Sequence, residues 1–140
     1  MNKNFLLVIL AIACTSTLLG QRYLTPQFST VKVTKNVKYG ANLGYNSSFL
    51  SSEDLLMDVY EPDGDTATNR PVIILGHAGS YLSLYAWGNK DQYSVVEMCN
   101  RFAKLGYVAV SIDYRLGWSA GSTDAETREK TIINAVYRAM

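Results

Sequence analysis

Alternation of apolar and polar residues dominates the first half of the chain. In VKVTKNVKYG (31–40), Val31 and Val33 share one face, and so do Val37 and Tyr39. This predicts strands exposed on one side. ANLGYNSS (41–48) is rich in turn formers. Its Asn46-Ser47-Ser48 fits the glycosylation pattern, which is too common by chance to carry weight. LLMDVYEP (55–62) alternates again, with Met57 and Val59 opposite Leu56, Asp58 and Tyr60, and Pro62 stops it. Asp63-Gly64 supplies turn chemistry after it. PVIILGHAGS (71–80) differs. Val72 to Leu75 are continuously apolar, which predicts a strand buried on both faces of a parallel sheet. It ends in Gly-His-Ala-Gly-Ser, and an aromatic-rich stretch follows (Tyr81, Tyr85, Trp87).

Helical spacing takes over next. Ser94 and Glu97 read as a capping box. Val95, Val96, Cys99, Phe102 and Ala103 then recur on one face, with Glu97, Arg101 and Lys104 on the other. Gly106 is a natural C-terminal cap. YVAVSIDYRL (107–116) predicts another strand. Thr123 and Glu126 form a second capping box, followed by an apolar stripe of Ile132, Ile133, Val136, Tyr137 and Met140. Strand, helix, strand, helix from residue 71 onward predicts parallel βαβ units with right-handed crossovers, and the earlier strands an antiparallel edge. The last stripe is still running at Met140, with no cap, Gly or Pro to end it. The pattern therefore reads as the N-terminal part of a larger α/β fold, cut in mid-element.

The N-terminal residues belong to none of these elements. MNKNFLLVILAIACTSTLLGQ carries Lys3, an apolar run from Phe5 to Ala13, a Thr/Ser patch and Gly20. The run is shorter than the about 20 residues of a membrane span, so residues 1–21 read as a secretory signal peptide, cleaved after Gly20 or Gln21. Export to the periplasm, cell surface or medium is the expectation. Ala11, Ile12 and Ala13 fit a lipoprotein signal at Cys14 poorly. Residues 22–140 then form the folded part, with no transmembrane segment expected.

Composition narrows the function classes. The 140 residues are 48% hydrophobic and 18% charged, with a net charge of +1. No basic stripe points to nucleic acid. Once the signal is removed only Cys99 remains, so no internal disulfide forms, and its helical spacing marks it as a small core residue. His77 is the only histidine, and no Cys/His cluster suggests a metal.

Candidate chemistry lies at the carboxyl ends of the two predicted parallel strands, where open α/β sheets bind ligands. After the first comes His77-Ala78-Gly79-Ser80. Acyl transfer builds negative charge on a carbonyl oxygen, and preorganised backbone N–H groups stabilise it, each worth roughly 3 kcal/mol. Such a loop needs small residues so that backbone faces the substrate, and Gly where φ is positive. The chain here resembles the α/β-hydrolase family, in its secreted carboxylesterase and lipase branch, over residues 55–140. The resemblance rests on DVYEP (58–62), RPVIILGHAGSY (70–81) and FAKLGYVAVSIDYRLG (102–117). The family's second block reads H-G-G-G-F and forms the oxyanion-hole loop. By position, His77 matches the motif histidine, Ala78, Gly79 and Ser80 the three glycines, and Tyr81 the aromatic. The resemblance implies that the N–H groups of Gly79 and Ser80 are the oxyanion donors, and that His77 and Ala78 shape the loop. Ala78 and Ser80 depart from the glycines of the motif. In the family the DYRL segment ends a strand, so Asp113 and Arg115 read as structural.

Gly117-Trp118-Ser119-Ala120-Gly121 satisfies the G-x-S-x-G pattern of a nucleophile elbow. Its surroundings do not. Asp113 to Leu116 separate it from the strand core, and three more residues precede the Thr123 cap. No histidine follows Ser119, whereas the fold's order is Ser, then Asp or Glu, then His. Ser119 is therefore expected not to be the nucleophile, and nucleophile, acid and base are expected beyond Met140. Trp118 and Tyr81 are candidate pocket residues. The expected function is a serine esterase or lipase-like hydrolase of small-molecule esters, with no cofactor. A secreted serine peptidase, a dienelactone-hydrolase-like enzyme and a non-catalytic binding module on the same fold stay open, as does oligomeric state.

Overall fold

A computed structural model describes residues 21–43, 52–79, 88–114 and positions 116, 125, 129 and 133. The described residues form β1 (Val31–Leu43), β2 (Ser52–Pro62), β3 (Val72–Gly76), α1 (Tyr93–Leu105) and β4 (Val108–Ile112). The sheet order is β1-β2-β4-β3. β1–β2 and β2–β4 pair antiparallel, whereas β3 and β4 pair parallel across the α1 crossover. This is the α/β arrangement that the resemblance implies for the N-terminal part of an α/β-hydrolase: antiparallel edge strands followed by a parallel βαβ unit. Positions 125, 129 and 133 are helical. Residues 1–20 of the expected signal peptide (1–21), with Cys14, lie outside the described residues, as do Asn46, the second capping box and the rest of the C-terminal stripe.

β1 is one strand with two register shifts, a bulge between Thr34 and Val37 and a second irregularity between Lys38 and Gly40. Asn36 sits at φ 58° within the first. The first extra residue reverses which face Val37 and Lys38 occupy, and the second shift reverses the alternation again from Gly40 on. Val33 lies opposite Tyr60, and Val37 lies opposite Met57, on the other face. Pairing with the start of β2 also carries β1 through Leu43, into the stretch whose composition suggests a turn.

The core lies between α1 and one face of the sheet. Tyr60 of β2, Ala109 of β4 and Val95, Cys99 and Ala103 of α1 are buried together, with Leu75, Val96 and Phe102 packed against them. β3 is not buried on both faces as its apolar run predicts. Its burial alternates, and Val72 and Ile74 are exposed. The reason is layering: among the described residues α1 covers only the face carrying Ile73 and Leu75.

The helix starts earlier than the sequence suggests. Gln92 is the N-cap residue, and its carbonyl accepts from Val95 and Val96 N–H, both at 3.0 Å. Ser94 therefore lies inside the first turn and caps nothing. The start is set upstream by a turn in which Gln92 N–H bonds to Asn89 O at 3.0 Å. Glu97, freed of a capping role, pairs with Arg101 at 2.7 Å. Gly106 closes the helix in the left-handed conformation, as its position predicts.

Candidate active site

The strand β3 delivers His77, Ala78 and Gly79 to its carboxyl end, beside the end of β4. His77 is buried, and its ring stacks on Tyr114 at a centroid distance of 4.3 Å. His77 Nδ1 lies 2.8 Å from the Ala78 carbonyl oxygen. A carbonyl only accepts, so Nδ1 carries the proton and the ring is held by its own loop. Tyr114 Oη donates to the His77 carbonyl at 2.7 Å. The Ala78 N–H donates to Gln92 Oε1 at 3.2 Å. Gly79 has φ 146°, a conformation that L side chains rarely adopt. The histidine is thus a fixed internal strut of the loop.

A buried charge cluster braces the next segment. Lys90 Nζ lies 3.1 Å from Asp58 Oδ1 and 3.0 Å from Asp91 Oδ2. Asp58 is fully buried, and Lys90 is nearly so. Asn36 N–H donates to Asp58 Oδ1 at 2.8 Å, which gives the bulge in β1 a partner. Lys35 Nζ reaches Asp91 at 2.9 Å and Asp58 at 3.9 Å. Burial by itself would lower the Lys90 pKa; hydrogen bonds to Asp58 and Asp91 outweigh it and hold the pKa above its ordinary value. Asp91 is held below the usual carboxylate range, first by Lys35 and then by Lys90. The Lys90 backbone is fixed as well: its N–H donates to Asp113 Oδ1 and its carbonyl accepts from Ser111 Oγ, both at 2.7 Å. Asp113 is therefore tied into this hydrogen-bonded frame.

Gly88 closes the arrangement. A Cβ there would lie 2.1 Å from the Ala78 carbonyl oxygen and 2.9 Å from His77 Nδ1, and φ is 152°. No side chain fits. Of the residues singled out in the sequence, the structure brings His77, Ala78 and Gly79 together. Ser80, Tyr81, Arg115, Trp118 and Ser119 lie outside the described residues. Asp58, Gly88, Lys90, Gln92 and Tyr114 enter only through the structure. An acid on the Leu56/Tyr60 face of an alternating strand is a visible signal for Asp58. Nothing in the local sequence marks Gln92 or Tyr114, which meet the loop from 14 and 37 residues away. Among the described residues no group of His, Cys, Asp and Glu is placed to hold a metal, and no helix is long and apolar enough to cross a membrane.

No protein-family model matches the chain, and neither does any curated protein. Solved esterases are similar in structure. Brefeldin A esterase, a bacterial homologue of human hormone-sensitive lipase, is 15% identical with a TM-score of 0.43, over 96% of this chain and 35% of that one. Esterase B from Lactobacillus rhamnosis is 21% identical with a TM-score of 0.43, over 80% of this chain and 31% of that one. A hyperthermophilic esterase from the archaeon Pyrobaculum calidifontis is 23% identical with a TM-score of 0.38, over 73% of this chain and 26% of that one. The chain spans about a third of the length of these esterases.

Proposed function

We propose that this chain is the oxyanion-hole part of an exported serine hydrolase that cleaves small-molecule carboxylic esters. The observation that carries the reading is the 77–79 backbone cradle at the carboxyl end of a parallel strand, with Gly79 at positive φ and His77 locked by Tyr114. The sequence resemblance supports it. A serine attacks the ester carbonyl, and the N–H groups of Gly79 and Ser80 hold the oxyanion of the tetrahedral intermediate. The alcohol leaves, and water releases the acid from the acyl-enzyme. By the resemblance His77 shapes the loop and is not the base; its Nδ1 donates to the Ala78 carbonyl and its ring stacks on Tyr114. In this reading nucleophile, acid and base lie beyond residue 140, and Trp118 and Tyr81 are the candidate pocket residues.

A fluorophosphonate probe tests this. The 140-residue chain stays unlabelled, and the protein encoded by the whole gene is labelled and hydrolyses p-nitrophenyl butyrate. In that protein Gly79→Val, whose side chain is incompatible with φ 146° and so displaces the donor, lowers kcat by up to about 10²-fold, the usual cost of an oxyanion donor. Stoichiometric labelling of the short chain that disappears in Ser119→Ala overturns the placement of the nucleophile. Absence of ester hydrolysis in the whole-gene protein overturns the reaction.

A further inference from the structure

The hydrogen bonds around His77 and Ala78 fix two consecutive peptide planes. A trans peptide is planar, with its C=O and N–H pointing in opposite directions. The plane between His77 and Ala78 is held at both ends: Tyr114 Oη donates to its carbonyl at 2.7 Å, and its N–H donates to Gln92 Oε1 at 3.2 Å. The plane between Ala78 and Gly79 is held at its carbonyl by His77 Nδ1, at 2.8 Å. Its other end, the Gly79 N–H, makes no hydrogen bond among the described residues. Each plane restrains the next through the Ala78 Cα, so three side chains determine where that one free donor points.

Gln92 can do this because of where it sits. It ends the 88–92 segment, whose centre is fixed by the four polar contacts of Lys90 to Asp58, Asp91, Asp113 and Ser111. Gly88, at the other end, lies against the Ala78 carbonyl. As the helix N-cap residue, Gln92 makes no side-chain bond to its own helix; its carboxamide is turned to the loop instead. We propose that Gln92 and Tyr114 are positioning residues that aim the Gly79 N–H at the oxyanion, with the 88–92 segment as their splint. This rests on the reading of the 77–80 loop as an oxyanion hole. It adds that the Ala78 N–H is already occupied and serves as a strut, so the first donor offered to substrate is that of Gly79.

The experiment uses the whole-gene protein with Tyr114→Phe, Gln92→Leu and Gln92→Glu. Tyr114→Phe keeps the ring on His77 and removes only the hydroxyl. Gln92→Glu keeps an acceptor for the Ala78 N–H, and Gln92→Leu does not. Hydrogen exchange of peptides covering 76–80 and the kinetics of p-nitrophenyl butyrate hydrolysis are measured together. Tyr114→Phe and Gln92→Leu speed exchange in 76–80 and lower kcat by about tenfold at unchanged KM, since the donor is mis-aimed and not deleted. Gln92→Glu restores the slow exchange, and all three keep the wild-type melting temperature to within a few degrees. Unchanged exchange in both Tyr114→Phe and Gln92→Leu overturns the positioning role. Faster exchange with unchanged kcat leaves the struts standing and overturns instead the oxyanion-hole reading of the loop.

Discussion

Cys99 carries a thiol that its surroundings have silenced. It is fully buried against Tyr60 and Ala103, and burial, followed by the nearby Asp58 charge, pushes its pKa up to about 11. Tyr60 is pushed to about 12 by the same two causes in the same order. The thiolate is the nucleophile, so a thiol at about 11 presents roughly one thiolate in a thousand at pH 8. Iodoacetamide at pH 8 therefore leaves native Cys99 unmodified over a period in which the urea-unfolded chain reacts completely. Comparable alkylation rates in the two states would contradict this burial. The sign for stability follows: both groups have raised pKa values when folded, so their contribution is present below the unfolded values and lost as pH rises beyond them. Cys99 was legible in the sequence because helical spacing alone puts it on the apolar face. Asp58 was only half legible. Alternation places it on the Tyr60 face, but the lysine that neutralises it comes from residue 90.

At the scale of elements, α1 shows how a helix end is finished. Gly106 N–H bonds to Ala103 O and Tyr107 N–H to Phe102 O. The next carbonyls, of Lys104 and Leu105, accept from the backbone N–H groups of Gln27, Phe28 and Tyr23. Residues 22–28 thus strap the helix end and satisfy carbonyls that a helix terminus leaves open. Arg22 anchors the strap through both guanidinium ends to Asp65 and through Nη2 to Gly106 O. The Arg22 hydrogen bond holds the Asp65 carboxyl below its ordinary pKa. A lowered folded pKa stabilises fully above the unfolded carboxylate value, near 4, and the gain fades as pH falls through that value toward the folded one. Asp65→Asn costs about 1.5–3 kcal/mol at pH 7, as for hydrogen bonds to charged groups. The cost shrinks at pH 3. Urea denaturation at both pH values checks this, and an equal cost at both would refute the ionic anchor. Gly106 announces the helix stop in the sequence; Arg22 and Asp65, 43 residues apart, do not announce each other.

The whole molecule places charge where sheet, bulge and crossover meet. The bulge in β1 sends Asn36 N–H to Asp58, and the chain approaching α1 brings Lys90 to the same carboxylate. Removing one partner of a buried pair strands the other charge, at a cost of about 3–5 kcal/mol. Lys90→Met incurs that loss. Adding Asp58→Asn recovers part of it, because the buried carboxylate becomes neutral and the Oδ1 acceptor for Asn36 is kept. Thermal denaturation of the two variants decides the matter: a double variant less stable than Lys90→Met alone would show that the pair does not act as a unit. The same frame carries the 88–92 segment, so both variants also loosen the 77–79 loop.

The sequence by itself determined the element types, the α/β class, the parallel pairing around α1 and the buried thiol. Those properties depend on local spacing and on glycine positions, which a linear chain displays directly. The tertiary structure decided what spacing cannot encode. The first bulge in β1 reversed the faces of Val37 and Lys38, and α1 covers one face of β3, leaving Val72 and Ile74 open on the other. Helix α1 began before Ser94 because an upstream turn set its first carbonyl. The 77–79 loop is held by Gln92, Tyr114 and Lys90, residues whose hydrogen-bond partners become neighbours only once the sheet has formed.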